Sequence, residues 1–226
     1  MNLDISIFEV VGPVMIGPSS SHTAGAARLA RVARRMAENA GAVTHVSFGL
    51  HGSFARTYKG HGTDRALVAG ALGLREDDER LSDAFSLAAA EGLTYDFHEI
   101  VLEGSHENTV EIIFTLSEGD PFTVTGSSLG GGRIAIKRIK GFDVDFTAHV
   151  PTLVIVQQDE KGVVSEITGV LAAHGINIGI MRVSRLAKGE TACCVIEADA
   201  NISDAVVDQI RRLNHILSAQ AVHPEA

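Results

Sequence analysis

The chain has 226 residues, the length of one large domain or two small ones. Hydrophobic residues make up 45% and charged residues 21%, a composition that excludes a disordered or fibrous protein. Because 19 Lys and Arg stand against 28 Asp and Glu, the formal net charge is −9, which disfavours general nucleic-acid binding. The two cysteines, Cys193 and Cys194, are adjacent, which excludes a disulfide framework and a metal site made mainly of this chain's own thiolates.

The sequence predicts neither a targeting segment nor a membrane segment. Residues 1–6 lack the positively charged start and the long apolar core of a signal peptide. No stretch approaches the ~18 apolar residues that are needed to span a bilayer. We therefore expect a cytoplasmic protein that does not enter a membrane.

The first part of the chain predicts a mixture of helices and strands without an internal repeat. An extended segment is expected at 6–14, helices at 22–39, 63–72 and 76–91, strands at 43–50, 95–102, 109–116, 122–125, 133–137 and 142–146, and a Gly/Ser-rich loop at 126–132. After Pro151 the pattern of apolar residues becomes a regular succession of short strands and helices. We therefore place the first domain at residues 1–147.

The last part, residues 148–226, predicts the order βαββαβ. Strands are expected at 152–157, 176–186, 190–198 and 216–222, with helices at 161–174 and after a cap at Asn201 or Ser203. This order suits a compact ferredoxin-like sheet with helices on one face. The whole chain is therefore predicted to be an α+β protein of two domains.

Three hydroxyl side chains and a histidine precede the first predicted helix. The sequence GPSSSHTAG places Ser19, Ser20, Ser21, His22 and Thr23 at the start of this helix. Free backbone N–H groups and the helix dipole favour an anion there, such as a carboxylate or phosphate, and a histidine can carry a proton. An ordinary N-cap needs only one hydroxyl. We therefore predict an anion-binding site at this helix start.

A second polar motif follows the predicted strand at 43–50. It consists of the sequences HGSF and KGHGTD, in which Lys59 and His61 lie among glycines that allow a small anionic ligand to approach closely. The alternative is a polar loop in which Thr63 or Asp64 caps the next helix, and for Asp64 we prefer that cap. For His61 we predict a functional role, because it lies in a glycine-flanked loop rather than on an apolar face.

Three further features carry weaker signals. His106 in a predicted turn is expected at the solvated surface, and the glycine run at 126–132 is either a flexible connection or an anion cradle. In the last domain, we expect Asp159 to cap the first helix. A compatible role is to bind the α-ammonium group of an amino acid whose carboxylate is held by N–H groups near Gly162. The adjacent cysteines fall in a predicted strand, so they point to opposite faces and are interpreted as small strand residues.

Taken in order, these motifs resemble the β subunit of iron–sulfur-dependent L-serine dehydratase. The resemblance rests on GPSSSHT at 17–23, KGHGTD at 59–64 and SLGGG at 128–132. From about residue 150 onward the chain resembles an ACT domain. The first domain is similar to the allosteric substrate-binding domain of some phosphoglycerate dehydrogenases, which leaves open whether it catalyses or only binds.

The resemblance implies a lyase that converts L-serine to pyruvate and ammonia, a reaction of amino-acid metabolism and gluconeogenesis. It implies a [4Fe–4S] cluster rather than pyridoxal phosphate, with one iron acting as a Lewis acid on the serine hydroxyl while a base removes the α-proton. In two-chain members of the family the α subunit carries the cluster cysteines. The cysteine count agrees, because three converging thiolates are needed and this chain has two adjacent ones. This chain is therefore expected to be inactive without its α subunit.

Carried over residue by residue, the resemblance implies catalytic roles for His22 and His61, without deciding which of them is the base. It implies effector binding by Asp159 and Gly162. It also implies that a third group lines the L-serine site at the subunit interface, namely Ser19, Ser20, Ser21, Thr23, Lys59 and Thr63. No residue of this chain is expected to bind the metal.

Two residues depart from the family pattern. Tyr58 stands where a small, glycine-like residue is expected. Glu107 stands where proline is expected, which weakens any catalytic role for His106. The sequence leaves the roles of His51 and His106 undecided, and also any requirement for a monovalent cation.

Two other functions stay open. The ACT-like part suggests a non-catalytic regulatory subunit that binds an amino acid. A self-contained hydrolase using Ser20 or Ser21 with His22 is the weaker alternative, because no orienting acid is identifiable and sequence neighbours at a helix start rarely point at one another. ACT domains usually pair, so we expect self-association through the last domain and an α2β2 assembly.

Overall fold

A computed structural model describes residues 19–224, and contacts within the chain divide it into two compact units, before and after the Lys137–Arg138 bond. The predicted segment at 6–14 and the glycine and proline that open the first motif lie outside the described residues. The predicted domain boundary after residue 147 lies beyond this division and stays a prediction. Within residues 19–224, no helix has both the length and the apolar character to cross a membrane.

The helices of the first unit pack closely because the residues on their contact faces are small. They are α1 (Ala24–Glu38), α2 (Ser53–His61), α3 (Thr63–Ala71), a 3-10 turn (Glu79–Asp83) and α4 (Ala84–Glu91). A Cβ on Gly70 of α3 would lie 2.1 Å from the carbonyl oxygen of Ala27 on α1, so only glycine permits this crossing. The predicted single helix at 76–91 is wrong: Asp78 caps the start of the 3-10 turn, and at Asp83, the last residue of that turn, the backbone leaves helical angles before α4 begins.

The strands of the first sheet bring three segments to one edge. They are β1 (Val43–Leu50), β2 (Thr94–Glu99), β3 (Thr109–Leu116), β4 (Phe122–Gly130), β5 (Arg133–Ile139) and β6 (Phe142–Phe146), in the order β2-β1-β3-β4-β5-β6. β1 is parallel to β2 and antiparallel to β3, which is antiparallel to β4. The carboxyl ends of β1, β2 and β4 therefore meet at the start of β3, at what we call the site edge.

The predicted loop at 126–132 is wrong, because its first five residues complete β4. The small residues of this strand allow close packing against α1. A Cβ on Gly126 would lie 2.6 Å from Leu29 Cδ1, and a Cβ on Gly25 of α1 would lie 1.9 Å from Ser128 Oγ. The face of β4 that meets α1 has no room for larger side chains. Only Gly131 and Gly132 form the turn into β5, both with positive φ.

The second unit confirms the predicted order βαββαβ. The elements that follow β6 in this unit are β7 (Thr152–Gln158), α5 (Val163–Ala173), β8 (Ile178–Arg185), β9 (Thr191–Ala198), α6 (Asp204–Arg211) and β10 (Ile216–Val222). The sheet has the order β10-β7-β9-β8 with antiparallel neighbours. Its core joins the apolar faces of both helices to one face of the sheet, with Leu153, Ile167 and Ile210 fully buried. The chain is therefore an α+β protein, as predicted.

Candidate functional site

His22 is the buried centre of the candidate site. It is 6% exposed, and its Nδ1 lies 3.0 Å from Ser19 Oγ and 3.2 Å from Ser21 Oγ. Its Nε2 lies 3.3 Å from Ser53 Oγ at the start of α2. The hydroxyls of Ser19 and Ser21 are themselves 3.0 Å apart. Hydroxyl partners on both ring nitrogens therefore fix the orientation of this imidazole.

The surroundings of His22 disfavour its charged form. Burial lowers the pKa of His22 from its ordinary value of 6.5, and the neighbouring His61 lowers that pKa further. The ring centroids of His22 and His61 are 4.6 Å apart, and Phe54 lies 5.2 Å from His22, both in edge-on arrangements. At neutral pH His22 is therefore a neutral imidazole that donates through one nitrogen and accepts through the other.

Backbone hydrogen bonds within the turn before α1 occupy several of its own N–H groups. The carbonyl of Ser19 accepts from the N–H groups of His22 and Thr23, at 3.1 and 3.2 Å, and Gly25 N donates to Ser20 O at 3.0 Å. The hydroxyl of Thr23 also donates to Ser19 O, so Thr23 stands at the N-cap position without a side-chain cap bond. The N–H groups of His22, Thr23 and Gly25 are therefore already paired, and the prediction that free N–H groups form an anion cradle is wrong for these three residues.

The glycine turn after β4 is tethered to α1 rather than flexible. Gly131 N donates to Ser20 Oγ at 3.2 Å, and Arg28 donates to Gly132 O at 3.3 Å. Arg133 adds a bond to Gly130 O at 3.4 Å. The hydroxyl of Ser20 therefore holds this turn at the site edge.

His61 does not lie in a loop, contrary to the prediction. It is the last residue of α2, and Gly62, with a φ of 72°, ends the helix. The prediction rested on the glycines that flank His61. Gly60 nevertheless lies within the helix, and nothing lies within 4 Å of the position that a Cβ would take there. The Nδ1 atom of His61 is buried and has no hydrogen-bond partner among residues 19–224.

Thr63 begins α3 next to this histidine. Its side chain is 0% exposed, and its hydroxyl has no partner among the described residues. Gly62 rather than Asp64 occupies the N-cap position of α3, and the Asp64 carboxylate accepts from Arg65 N at 2.8 Å in the first turn. A buried polar atom without a partner costs free energy, so Thr63 Oγ1 and His61 Nδ1 are candidate ligand contacts.

The structure adds three residues that the sequence did not single out. Ser53 contacts His22 directly, whereas Asn108 and Ser128 each bury a side-chain oxygen that has no partner within residues 19–224. Asn108 O accepts from Ser128 N at 2.9 Å, which joins the two at the site edge. Signals existed for two of them, because Ser53 belongs to HGSF in the second motif and Ser128 opens the third motif of the resemblance.

Other predicted residues do not join the His22 cluster. Lys59 is exposed, with Nζ 5.6 Å from the centroid of the Tyr58 ring. The unexpected Tyr58 packs on Phe97, with ring centroids 5.6 Å apart. His106 is exposed, as expected, and its Nδ1 accepts from Asn108 N at 3.1 Å.

In the second unit, the expectation that Asp159 caps the first helix is wrong. Gly162 is the N-cap of α5, without a side-chain cap bond. The carboxylate of Asp159 instead accepts from Gly189 N at 2.9 Å and from Arg185 at 3.0 Å, both at the β8–β9 hairpin. The Gly189 N–H bond and Arg185 lower the pKa of Asp159. The loop before α5 therefore uses this side chain to hold a hairpin.

The two cysteines do not fit an iron–sulfur cluster. Cys193 and Cys194 are 1% and 0% exposed, and as strand neighbours they face opposite sides of the sheet. Burial raises the pKa of Cys193 to about 12 and that of Cys194 to about 11, which opposes the thiolate form that binds metal. Within the described residues, no group of three His, Cys, Asp or Glu side chains could hold a metal ion.

Comparisons with known proteins agree with both units. The serine dehydratase beta chain family matches residues 6–92, and the ACT domain family matches residues 152–215. A probable L-serine dehydratase beta chain of Bacillus subtilis is 41% identical over 96% of this chain and 97% of its own length. The beta chain of L-serine dehydratase from Peptoniphilus asaccharolyticus is 38% identical over 97% of this chain and 98% of that one.

The chain belongs to the L-serine dehydratase β-chain family. A D-3-phosphoglycerate dehydrogenase of Bacillus subtilis is also similar, with 26% identity over 70% of this chain and 30% of that enzyme. The family resemblance found in the motifs is thus confirmed, together with the ACT domain at the carboxyl end. The roles of individual residues in this β chain stay predictions.

Proposed function

We propose that this β chain supplies acid–base and substrate-positioning residues to a two-chain L-serine dehydratase, which converts L-serine to pyruvate and ammonia. The observation that carries the proposal is the His22–His61 pair: serine hydroxyls contact His22, and His61 Nδ1 is buried with no hydrogen-bond partner among residues 19–224. Such atoms cost free energy unless a ligand pairs with them. A small polar substrate such as L-serine would satisfy them.

The geometry favours different roles for the two histidines. Both nitrogens of His22 already have serine partners, so we assign it the positioning of the substrate and of Ser53. His61 keeps a buried Nδ1 without a partner in the described chain, so we assign it the transfer of the α-proton. We further propose that the hydroxyls of Thr63 and Ser128 bind polar groups of the substrate, whereas the substrate-binding role of Lys59 stays a prediction of the family resemblance.

The proposal requires a second chain. Loss of the serine hydroxyl as water needs an electrophile, and the family resemblance implies a [4Fe–4S] cluster for this step. Because neither Cys193 nor Cys194 fits such a cluster, we propose that a cysteine-bearing α subunit holds it. This β chain alone should then form no pyruvate.

The test is co-expression with a cysteine-bearing α chain, purification without oxygen, and measurement of iron and of pyruvate formed from L-serine. We expect activity of the complex only. His61→Asn should lower kcat about 10²- to 10⁴-fold, the usual contribution of a general base. His174→Asn is the matched control, because this histidine lies in the second unit and pairs with Gln209. Full activity of the complex after His22→Asn and His61→Asn together would contradict the assigned roles.

A regulatory role of the ACT domain is the second candidate, and Gln157 favours it. Gln157 lies near the end of β7, just before the loop that carries Asp159, and is 2% exposed. Its Oε1 has no hydrogen-bond partner among residues 19–224. The first N–H groups of α5 follow in the same loop. We propose that an amino-acid effector binds here, with Gly162 letting its carboxylate approach. Calorimetry with L-serine on the isolated β chain, compared with its Gln157→Leu variant, tests this; equal binding by both would exclude the site.

We also propose that two copies of the chain associate through β8. This strand is an edge of the second sheet and exposes Ile180, Met181 and Val183, at 47%, 41% and 46%. An edge strand with exposed apolar side chains readily pairs with another strand. Sedimentation should show a dimer that becomes a monomer in Met181→Lys; a monomeric parent chain would contradict the proposal.

A further inference from the structure

Glu107 reaches the start of helix α2 with two different groups. Its carbonyl oxygen accepts from Ser53 N at 2.7 Å and from Phe54 N at 3.4 Å. Its carboxylate accepts from Arg56 at 2.6 Å. The first N–H groups of a helix have no partner within the helix, and α2 has no side-chain cap of its own. Glu107, which lies outside the helices and strands, therefore anchors the first turn of α2.

Close packing at Gly52 brings the two segments together. Gly52 precedes α2 with a φ of 59°, and a Cβ there would lie 2.7 Å from Glu107 O and 2.9 Å from Glu107 Oε2. Any larger residue would push the turn that carries Glu107 and Asn108 away from the helix. The anchor is thus a short, direct contact between α2 and the turn before β3.

The anchored helix carries much of the surroundings of His22. Ser53 Oγ lies 3.3 Å from His22 Nε2, the Phe54 ring lies 5.2 Å from the His22 ring, and His61 at the other end of α2 lies 4.6 Å away. His22 itself belongs to the turn before α1. The separation of the two histidines therefore depends on where α2 is held.

We propose that Glu107 and Arg56 are positioning residues, which hold α2 so that His61 and Ser53 meet His22 in the reactive arrangement. The inference rests on the proposed function. The ion pair is solvent-exposed, at 65% for Arg56 and 63% for Glu107, and exposed pairs contribute little to folding. A shift of about 1 Å at a reacting centre, in contrast, lowers a rate by as much as 10²-fold. Arg56 and Glu107 therefore affect turnover more than stability.

The kinetic test uses the complex with the α subunit. Glu107→Gln and Arg56→Gln should each lower kcat about tenfold and change KM for L-serine less than twofold. The exchanged pair Arg56→Glu with Glu107→Arg should restore at least half of the loss, because the ion pair forms again. Glu38→Gln is the matched control, since its pair with Arg34, at 2.8 Å, lies at the far end of α1. Unchanged kcat in both single variants, or no recovery in the exchanged pair, would overturn the proposal.

A second measurement needs no activity. NMR titration of the imidazole of His22 in the β chain reports its burial and its distance from His61, both of which lower its pKa and both of which depend on where α2 is held. In Glu107→Gln, and more strongly in Gly52→Ala, the pKa of His22 should move up towards 6.5, and it should return in the exchanged pair. An unmoved pKa in both variants would overturn the proposal. If the parent complex forms no pyruvate, the proposed function fails, whereas this titration still decides the positioning.

Discussion

The His22 cluster and the loop before α5 treat their polar groups in opposite ways. Around His22, the side-chain atoms His61 Nδ1, Thr63 Oγ1, Asn108 Oδ1 and Ser128 Oγ are buried and have no partner within residues 19–224. In the loop, the carboxylate of Asp159 is partly exposed, at 24%, and has two partners. Burying polar atoms without partners costs free energy, whereas a partly exposed, paired carboxylate costs little. The His22 cluster is therefore organised for a ligand, whereas in the loop the side chain of Asp159 holds its own hairpin.

The pKa shifts of the two regions have different causes. Removal from water lowers the pKa of His22 because the charged imidazolium is disfavoured. The N–H of Gly189 and the guanidinium of Arg185 lower the pKa of Asp159 because they stabilise the carboxylate. His22 thus keeps a neutral, buried ring for hydrogen bonding, whereas Asp159 keeps a negative charge that is already paired with Arg185.

The largest expected change in stability comes from a glycine in the first region. Gly25→Ala places a Cβ 1.9 Å from Ser128 Oγ, which can rotate, and 2.9 Å from Ser128 Cβ, which cannot, so α1 or β4 must shift. We expect the free energy of unfolding to fall by about 1–3 kcal/mol, the usual cost of overpacking. Urea unfolding measures this.

The matched control for Gly25→Ala is a helical glycine in the second region. Nothing lies within 4 Å of the position that a Cβ would take on Gly169 of α5. Gly169→Ala should stabilise the chain by roughly 0.5–1 kcal/mol, because alanine favours the helix. Equal effects of the two substitutions would mean that the first region is not more tightly packed than the second.

A smaller effect, of opposite sign, is expected at Thr63. Thr63→Val removes a buried hydroxyl that has no partner among the described residues, and valine nearly keeps its shape. The free energy of unfolding should rise by about 1 kcal/mol, since the cost of the unpaired oxygen disappears. Pyruvate formation by the complex should fall about tenfold if the hydroxyl binds substrate.

Thr168→Val in α5 provides the comparison, because the hydroxyl of Thr168 donates to Val164 O at 3.0 Å. Its stability should change by less than about 0.5 kcal/mol, and its turnover should stay at the parent value. A loss of stability in Thr63→Val would show that its hydroxyl has a structural partner, and the distinction between the two regions would then weaken.

Strands with a clear pattern were predictable from the sequence. β1, β3 and β10 begin and end where they were expected, because alternating or continuous apolar residues are bounded by turn residues. The same reasoning failed for 126–130, where small residues in β4 serve the contact with α1. A glycine run looks alike whether it gives freedom to a loop or space to a neighbouring helix.

The residues of the site were predictable, but their partners were not. Ser19, Ser21 and His22 lie close in the sequence, and their hydrogen bonds form within one turn. The contact of His22 with Ser53 joins separate elements, and only the sheet order brings them to one edge. The packing of α2 decides which face of His61 is buried. The sequence did not predict this helix, because Gly60 and Gly62 flank His61 and favour a loop.

The smallest expected effect is the absence of thiol labelling in the folded β chain. Because Cys193 and Cys194 are buried and their pKa values are raised to about 12 and about 11, thiolate is scarce and shielded at pH 8. A disulfide reagent such as Ellman's should label neither thiol until guanidinium unfolds the chain, and then should label both. Rapid labelling of the folded chain would show that the second sheet opens, and these thiols would then become candidate cluster ligands. Protection, in contrast, supports a cluster whose cysteines all come from the α subunit.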